Sequence, residues 1–287
     1  MTTNRTALAL AFATALGLTT AACGDDDDMG TETRELSVSF TDLPTLGDGY
    51  VYEGWLIVGG QPISTGRFTE TDSHFAELDA SVDGAEAFVL TIEPAMGDDP
   101  APSDVHIVAG DLDDNGRAAL SIDHGAALGV DLASATGTFI LETPSSMMTM
   151  DDYNQGIWWL DMSAGPGASL DLPELPAGWV YEGWVVGDDG PISTGTFTAA
   201  DMADSDMGGD AAGPDGTPPF PGQDFIDPAM DLVGMMAVIS VEPMPDDSPM
   251  PFVLKPLAGA IMDAGAGANQ SMDILLDAVP SGTATLQ

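Results

Sequence analysis

Two glutamates occupy a duplicated pattern that would set a charged group against an apolar surface. Glu53 lies in YVYEGWLIVGGQPISTGRFT (residues 50–69), and Glu182 lies in WVYEGWVVGDDGPISTGTFT (residues 179–198). Each glutamate is followed by Gly-Trp. A buried carboxylate without a partner is costly, so we expect each to accept hydrogen bonds from the backbone or from hydroxyls of the nearby Ser-Thr pair. The pattern favours this structural role, with ligand binding as the alternative.

Other residues of chemically useful type lack the spacing that catalysis or zinc binding needs. His74, His106 and His124 form no HExxH or His-x-His pattern and have no counterparts in the second copy, so we expect them at the surface or at strand edges. Ser64 and Ser193 are preceded two positions earlier by proline, whereas a nucleophile elbow has glycine there. With 47 acidic residues, carboxylate pairs arise by chance. The sequence predicts no catalytic site.

One acidic loop resembles the start of a calcium-binding loop. Asp111, Asp113 and Asn115 occupy the first, third and fifth positions, and Gly116 follows at the sixth. The twelfth position is Ile122 instead of glutamate, and the second copy has no equivalent loop. A turn rich in Asp and Asn is the favoured interpretation, with weak Ca²⁺ binding as the alternative. We expect no other cofactor.

The duplicated segments predict the elements that position these residues. They share twelve identities in twenty positions at an offset of 129. Both faces of the Tyr-Glu-Gly-Trp strand are mostly apolar, which is typical of a strand in the middle of a sheet. A Gly/Asp turn then predicts a hairpin into Pro-Ile-Ser-Thr-Gly. We expect Trp55 and Trp184 in the cores.

Further repeats predict an all-β protein. Residues 88–94 (FVLTIEP) match residues 237–243 (AVISVEP) at an offset of 149, which leaves about twenty extra residues in a loop near 203–235 of the second copy. Many short strands separated by Gly, Pro and Asp turns favour two tandem β-sandwich domains. The predicted units are domain 1 at 34–143, a linker at 144–154 and domain 2 at 155–287.

The N-terminal residues have the pattern of an exported lipoprotein. Residues 1–22 contain Arg5 and an apolar run of Ala, Leu and Phe too short to span a bilayer, which indicates a signal peptide. Small residues precede Cys23, the only cysteine, as in a bacterial lipobox. We therefore expect cleavage before Cys23 and its lipidation. The acidic residues that follow, within 23–33, predict a solvated tether between the lipid anchor and the first strand.

The charge of the chain excludes some partners. Five Lys and Arg residues against 47 Asp and Glu give a formal net charge of −42. Such a surface repels nucleic acid and anionic lipid headgroups, and it attracts cations or basic partners. With 44% hydrophobic residues the chain is nevertheless expected to be globular rather than disordered.

The repeated motifs, taken in order, resemble the C-terminal extracytoplasmic domain of anti-sigma-K factors (RskA-like proteins). The resemblance covers residues 46–111 and 175–260: the YEGW strand, the Gly/Asp turn, Pro-Ile-Ser-Thr-Gly, Glu-Pro and a proline-containing loop. It implies an extracytoplasmic regulatory role. In that family a cytoplasmic domain, often with a His and Cys zinc signature, sequesters the sigma factor and a transmembrane helix follows. A signal peptide stands in their place here, so we expect no direct sigma-factor binding.

Together these features predict a non-catalytic lipoprotein of the bacterial cell envelope, on the periplasmic face or the cell surface. It would act as a sensing or binding module with a protein partner in the envelope. The alternative is a surface adhesion or scaffold protein whose acidic domains depend on cations.

Overall fold

The computed structural model describes residues 32–97, 99–146, 152–245 and 248–287. The expected signal peptide, Cys23, nearly all of the acidic tether and part of the 144–154 linker lie outside the described residues. Residues Glu32–Gln287 form one compact unit. No helix among the described residues is long and apolar enough to cross a membrane.

The described residues fold almost entirely into β-strands, which confirms the predicted all-β class. Three short 3-10 helices are found at Ala80–Val82, Leu132–Ser134 and Tyr153–Gln155. The strands before residue 143 are β1 (Thr33–Thr41), β2 (Tyr50–Val58), β3 (Gln61–Phe68), β4 (Ser73–Asp79), β5 (Ala85–Pro94), β6 (His106–Asp111), β7 (Arg117–Ser121) and β8 (Thr136–Leu141). Those after it are β9 (Gly156–Trp158), β10 (Leu160–Asp161), β11 (Gly167–Ala168), β12 (Leu170–Asp171), β13 (Trp179–Gly187), β14 (Gly190–Phe197), β15 (Gly222–Asp224), β16 (Met236–Pro243), β17 (Leu257–Ala260), β18 (Gln270–Ser271), β19 (Asp273–Ile274) and β20 (Ser281–Leu286).

The duplicated segments form equivalent hairpins in two sheets, with the second strand of each hairpin at a sheet edge. Strand β2 lies between β3 and β5, and β13 lies between β14 and β16, so the predicted central position is confirmed. The turn between β2 and β3 is Gly59-Gly60, with φ of 56° and 76°, as a tight two-residue hairpin requires. Both hairpins shift register at the Glu-Gly-Trp segment, where a β-bulge interrupts the pairing.

The glycine of Glu-Gly-Trp allows a close approach across this bulge. A Cβ on Gly54 would lie 2.4 Å from Thr65 Oγ1, and a Cβ on Gly183 would lie 2.4 Å from Thr194 Oγ1. Both distances are far below van der Waals contact, so a side chain at either glycine would force the neighbouring threonine to move. The bulge in turn changes which side chains of the two strands face each other.

The two repeats exchange their last strands. Strand β20, from the end of the second repeat, lies between β7 and β1 in the eight-stranded sheet of the first repeat. Its register pairs Val38 with Ala284 and Ala284 with Ala118. Strand β8, from the end of the first repeat, pairs with β12, β9 and β18 of the second.

This pairing does not follow two sandwiches placed one after the other. The predicted ranges 34–143 and 155–287 describe the repeats in the sequence, whereas the sheets cross the division between them. One apolar cluster joins residues of both repeats, from Leu36 and Leu90 to Trp159 and Ile239. The two repeats therefore share a core, and neither completes its sheets alone.

The tryptophans of the duplicated segment are buried, as expected, but they lie in small clusters separate from the shared core. Trp55 is 3% exposed and packs with Val89 and Ala109. Trp184 is 2% exposed and packs with Val238 and Ala258. These small clusters shield this part of β2 and β13 from water. Polar groups buried there must therefore find hydrogen-bond partners within the protein.

Candidate functional site

Glu53 and Glu182 occupy equivalent buried positions, each 6% exposed. Ser64 Oγ donates a hydrogen bond to Glu53, and Ser193 Oγ donates one to Glu182. These are the serines of the two Pro-Ile-Ser-Thr-Gly segments. Each serine Oγ also accepts a hydrogen bond of 3.1 Å from the backbone N–H two residues later. The serines therefore connect the glutamates to the bulged hairpin strand.

Scarce basic residues lie beside buried glutamates. Arg67 Nε is 3.7 Å from Glu53 Oε2, while the position equivalent to Arg67 in the second repeat is Thr196. In the second repeat Lys255 is half-buried, and burial lowers the pKa of its ammonium group while the charge of Glu242 raises it. Because the whole chain has only five Lys and Arg residues, these two placements indicate a role in balancing buried charge.

Replacing Glu53 or Glu182 by alanine tests whether these carboxylates stabilise the hairpins. We expect each change to lower the free energy of unfolding by about 1–3 kcal/mol, because the hydrogen bond between the serine hydroxyl and the buried carboxylate is lost. Urea unfolding measured by circular dichroism checks this, with alanine at the exposed Glu86 as control. Unchanged stability in both variants would contradict the structural role and leave ligand binding as the explanation.

A second pair of glutamates belongs to a hydrogen-bonded chain that the sequence analysis missed. Trp55 Nε1 donates to Thr91 Oγ1 at 2.9 Å, and Thr91 Oγ1 donates to Glu93. In the second repeat Trp184 Nε1 donates to Ser240 Oγ at 2.7 Å, and Ser240 Oγ donates to Glu242. We call each chain of indole, hydroxyl and carboxylate a relay.

The carboxylate of each relay closes the loop that follows Glu-Pro. Glu93 Oε1 accepts a hydrogen bond of 2.9 Å from the N–H of Ser103, and Glu242 Oε1 accepts one of 2.8 Å from the N–H of Phe252. Both bonds span ten residues. The signal that could have identified these residues is a hydroxyl residue two positions before each Glu-Pro, which places the hydroxyl and the carboxylate on one face of a strand.

The tyrosine of each duplicated segment holds the chain before its strand. Tyr52 OH donates to the carbonyl of Pro44 at 2.6 Å, and Tyr181 OH donates to the carbonyl of Pro173 at 2.7 Å. Burial raises the pKa of both phenols, so they remain protonated donors. The repeated segment thus contacts two loops. Its tyrosine binds the connection before the strand, and its tryptophan is part of the relay whose glutamate contacts the loop after Glu-Pro.

These positioned loops line an apolar cleft, which we call the inter-repeat cleft. Its volume is about 270 Å³, and its lining residues belong to the connection before β2, the end of β5 with the segment before β6, and the segment after β16. They are residues 44–47, 50, 92, 94, 103 and 105 of the first repeat and 243–245, 248 and 250–253 of the second. Tyr50 OH donates to the carbonyl of Pro245 at 3.0 Å and so connects the two repeats at its edge. The cleft is the site that the repeated motifs build together.

The insertion of the second repeat folds onto the protein instead of forming a plain loop. Within it, β15 pairs with β9. Asp224 at the end of β15 is fully buried, and its carboxylate accepts hydrogen bonds from Trp158 Nε1 at 2.8 Å and from the N–H of Ser145 at 2.9 Å. Burial raises the pKa of Asp224.

Asp204, also in the insertion, is expected to make stability depend on pH. Its carboxylate is 6% exposed and accepts hydrogen bonds from the N–H groups of Met207 and Gly222. Burial raises the pKa of Asp204 to about 7, and the neighbouring Asp206 adds to the shift. Between about pH 4 and 7 the unfolded chain has lost this proton while the folded protein retains it, so stability falls as pH rises.

The change from Asp204 to asparagine should flatten this pH dependence. We expect the loss of unfolding free energy between pH 4.5 and 7.5 to shrink by about 1–3 kcal/mol relative to the unchanged protein. Chemical unfolding at several pH values measures it, with the exposed Asp201 changed to asparagine as control. An identical pH profile for the Asp204 variant and the unchanged protein would contradict this assignment.

The remaining predicted residues lie apart from the cleft, in local contacts. His74 stacks on Phe68 with ring centroids 4.2 Å apart, His106 Nδ1 is 2.9 Å from the carbonyl of Ala126, and His124 Nε2 is 3.2 Å from Asp111 Oδ1. Among the residues that the structure describes, no group of three or more His, Cys, Asp or Glu side chains is arranged to hold a metal ion.

The loop that resembles a calcium site forms the turn between β6 and β7. Asp113 Oδ1 accepts hydrogen bonds from the N–H groups of Asn115 at 2.8 Å and Arg117 at 2.9 Å, and these bonds lower the pKa of Asp113. The side chain of Asp111 is 82% exposed. Calcium binding at Asp111, Asp113 and Asn115 stays a prediction.

Comparison with known proteins gives one match. The family model described as "Anti-sigma-K factor rskA, C-terminal" matches residues 28–106. No curated protein and no solved structure matches the chain. The matched range runs from β1 through the first YEGW hairpin to Glu93-Pro94 and the start of β6, so the first repeat is similar to the C-terminal domain of anti-sigma-K factors. The corresponding likeness of the second repeat stays a prediction.

Proposed function

We propose that this chain is a non-catalytic lipoprotein of the bacterial cell envelope whose repeats act as a sensing or binding module for an envelope protein. The observation that carries the proposal is the match of residues 28–106 to the C-terminal domain of anti-sigma-K factors. That domain is extracytoplasmic in the family. The N-terminal pattern ending at Cys23 would place this chain on the same side of the membrane.

The use of the polar residues supports a binding module over an enzyme. Glu53 and Glu182 are hydrogen-bonded to serines of the bulged hairpins, and Glu93 and Glu242 close the loops beside the cleft. In each case the carboxylate holds backbone in place. An apolar cleft bordered by hydrogen-bonded backbone suits recognition, because a preformed site loses little conformational entropy on binding.

Metabolic labelling with a fatty-acid analogue tests the anchor. The full chain should incorporate the label and sediment with membranes, whereas the change from Cys23 to serine should abolish both. Cross-linking in intact cells, followed by purification of the full chain, then tests the function. Reproducible recovery of one envelope regulator supports the module. An unlabelled chain, or recovery only of abundant envelope components, would contradict the proposal.

The charge of the chain favours one second candidate. With a net charge of −42, its surfaces could be bridged by divalent cations in an adhesion or scaffold role. In that case chelation of calcium should disperse assemblies of the full chain, and substitution of Asp111 and Asp113 by asparagine should weaken the calcium response. The sensing module predicts a partner interaction that survives chelation.

A further inference from the structure

The inter-repeat cleft has the chemistry of a docking site. Its lining is dominated by aliphatic, proline, methionine and aromatic side chains from both repeats, including Leu46, Ile92, Val105, Met250, Phe252 and Val253. Met250 is 54% exposed, although its side chain is apolar. An occupant that covered these groups would gain the free energy of removing apolar surface from water.

The hydroxyl groups of the lining are largely directed back into the protein. Tyr50 OH donates to the carbonyl of Pro245, Ser103 Oγ donates to the carbonyl of Ile92 at 2.7 Å, and Ser248 Oγ lies 2.9 Å from the carbonyl of Met250. These bonds fix the walls of the cleft. The attraction for an occupant therefore comes mainly from apolar contact.

The size of the cleft suits one or two side chains. Pockets that enclose drug-sized molecules have volumes of about 300–1,000 Å³. The inter-repeat cleft has a volume of about 270 Å³ and is open to solvent. It is thus suited to an aliphatic or aromatic anchor projecting from an extended segment, and it is too small for a large cofactor.

The charged residues near the cleft indicate which charge the residues flanking the apolar anchor should carry. Asp48 adjoins the lining residue Gly47, Asp104 lies between the lining residues Ser103 and Val105, and both aspartates are exposed. The described residues that line the cleft include no lysine, arginine or histidine. The guanidinium of Arg67, which donates to the carbonyl of Pro94 at the edge, is already beside Glu53.

The cleft thus has an apolar lining and, next to lining residues in the chain, the exposed Asp48 and Asp104, which we call the acidic rim. From this combination we infer that the inter-repeat cleft binds a cationic peptide segment. One or two bulky apolar side chains of the segment occupy the cleft, and flanking lysines or arginines lie against Asp48 and Asp104. The inference rests on the proposed function, since it names the surface and the chemistry by which the module recognises a protein partner. Anionic segments and acidic lipid headgroups are repelled by the same rim.

Peptide binding to the full chain in nanodiscs of the zwitterionic lipid phosphatidylcholine tests the inference. The probe is a fluorescent seven-residue peptide with a central Leu-Phe pair between lysines, and binding is measured by anisotropy. Replacing Leu-Phe by Ser-Gly should weaken binding at least about tenfold, because the apolar contact is lost. Replacing the lysines by glutamates should do the same, and raising the salt concentration should weaken the original peptide.

Matched variants locate the site. Aspartate at Met250 should weaken binding about tenfold or more, because it puts a charge into the apolar cleft. Aspartate at Met262, which is 61% exposed and lies away from the cleft, should leave binding unchanged. Asparagine at both Asp48 and Asp104 should weaken binding about three- to tenfold. Asparagine at both Asp188 and Asp189, an exposed pair outside the cleft, is the control.

Several results would overturn the inference. These are no saturable binding below about 1 mM, equal binding of the Ser-Gly peptide, equal effects of the Met250 and Met262 variants, or displacement of the peptide by a neutral acyl chain. Failure of Cys23 labelling would contradict the proposed function, and peptide binding would then be measured on the same full chain in solution. An anchored chain that recovers a regulator from cells but ignores the peptide would overturn only the assignment of the cleft.

Discussion

Deleting residues 281–287 is expected to abolish the cooperative unfolding of both repeats. These residues contain β20, which supplies two hydrogen-bonded ladders in the middle of the eight-stranded sheet. Its removal would separate β7 from β1 and expose the buried side chains of Leu36, Val38 and Leu120. Because the two repeats share one core, the loss should reach the second repeat as well. Urea unfolding measured by both tryptophan fluorescence and circular dichroism should show no common sharp transition.

A single substitution gives a graded form of the same test. Ala284 in β20 is 1% exposed, so an aspartate there would bury a charge without a partner and lower the unfolding free energy by roughly 3–5 kcal/mol. Aspartate at the neighbouring Thr283, which is exposed, should cost less than about 1 kcal/mol. Two separate transitions in the unchanged protein would refute the shared core. So would a second repeat that unfolds at its original midpoint after the deletion.

Alanine at Glu93 or Glu242 should have the next largest effect. Each carboxylate is almost completely buried, at 1% and 0% exposure, and accepts one hydroxyl and one backbone hydrogen bond. Its loss leaves a buried hydroxyl and a partly buried N–H without this acceptor, which should cost about 2–4 kcal/mol per site. Glutamine retains an acceptor oxygen in the same place, so it should cost less than half as much.

Hydrogen exchange separates the relay from a general loss of stability. The amides of Ser103 and Phe252 should exchange faster in the corresponding alanine variants, because each loses its carboxylate acceptor. The backbone amides in the middle of β2 and β13 should keep the same ranking of hydrogen-exchange rates as in the unchanged protein. Alanine at Glu86, which is exposed on the same strand as Glu93, is the matched control. Unchanged exchange at Ser103 in the Glu93 variant would show that the relay does not hold the loop.

Much of the local structure could be predicted because the same motif occurs in two copies in the sequence. The Gly59-Gly60 turn, the central strands and the burial of Trp55 and Trp184 follow from residue pattern and turn chemistry. The serine partners of Glu53 and Glu182 lie in the same hairpin as the glutamates, so short-range reasoning reaches them. The hydroxyl and carboxylate of each relay are two residues apart and could have been paired from the sequence, whereas the indole–hydroxyl bonds, such as that from Trp55 to Thr91, join distant strands and leave no local signal.

By itself, the sequence determined the all-β class, the duplication, the acidic surface and the resemblance of the first repeat to an extracytoplasmic domain. These properties depend on composition, period and short motifs. Only the tertiary structure decided that β8 and β20 change places and that the repeated loops meet in one cleft. Strands β8 (TGTFIL) and β20 (SGTATL) have similar residue patterns, so local pattern does not assign either strand to a sheet, and their partners are known only from the tertiary structure. In the folded protein, the YEGW and Glu-Pro motifs hold the loops that line the cleft between the two repeats.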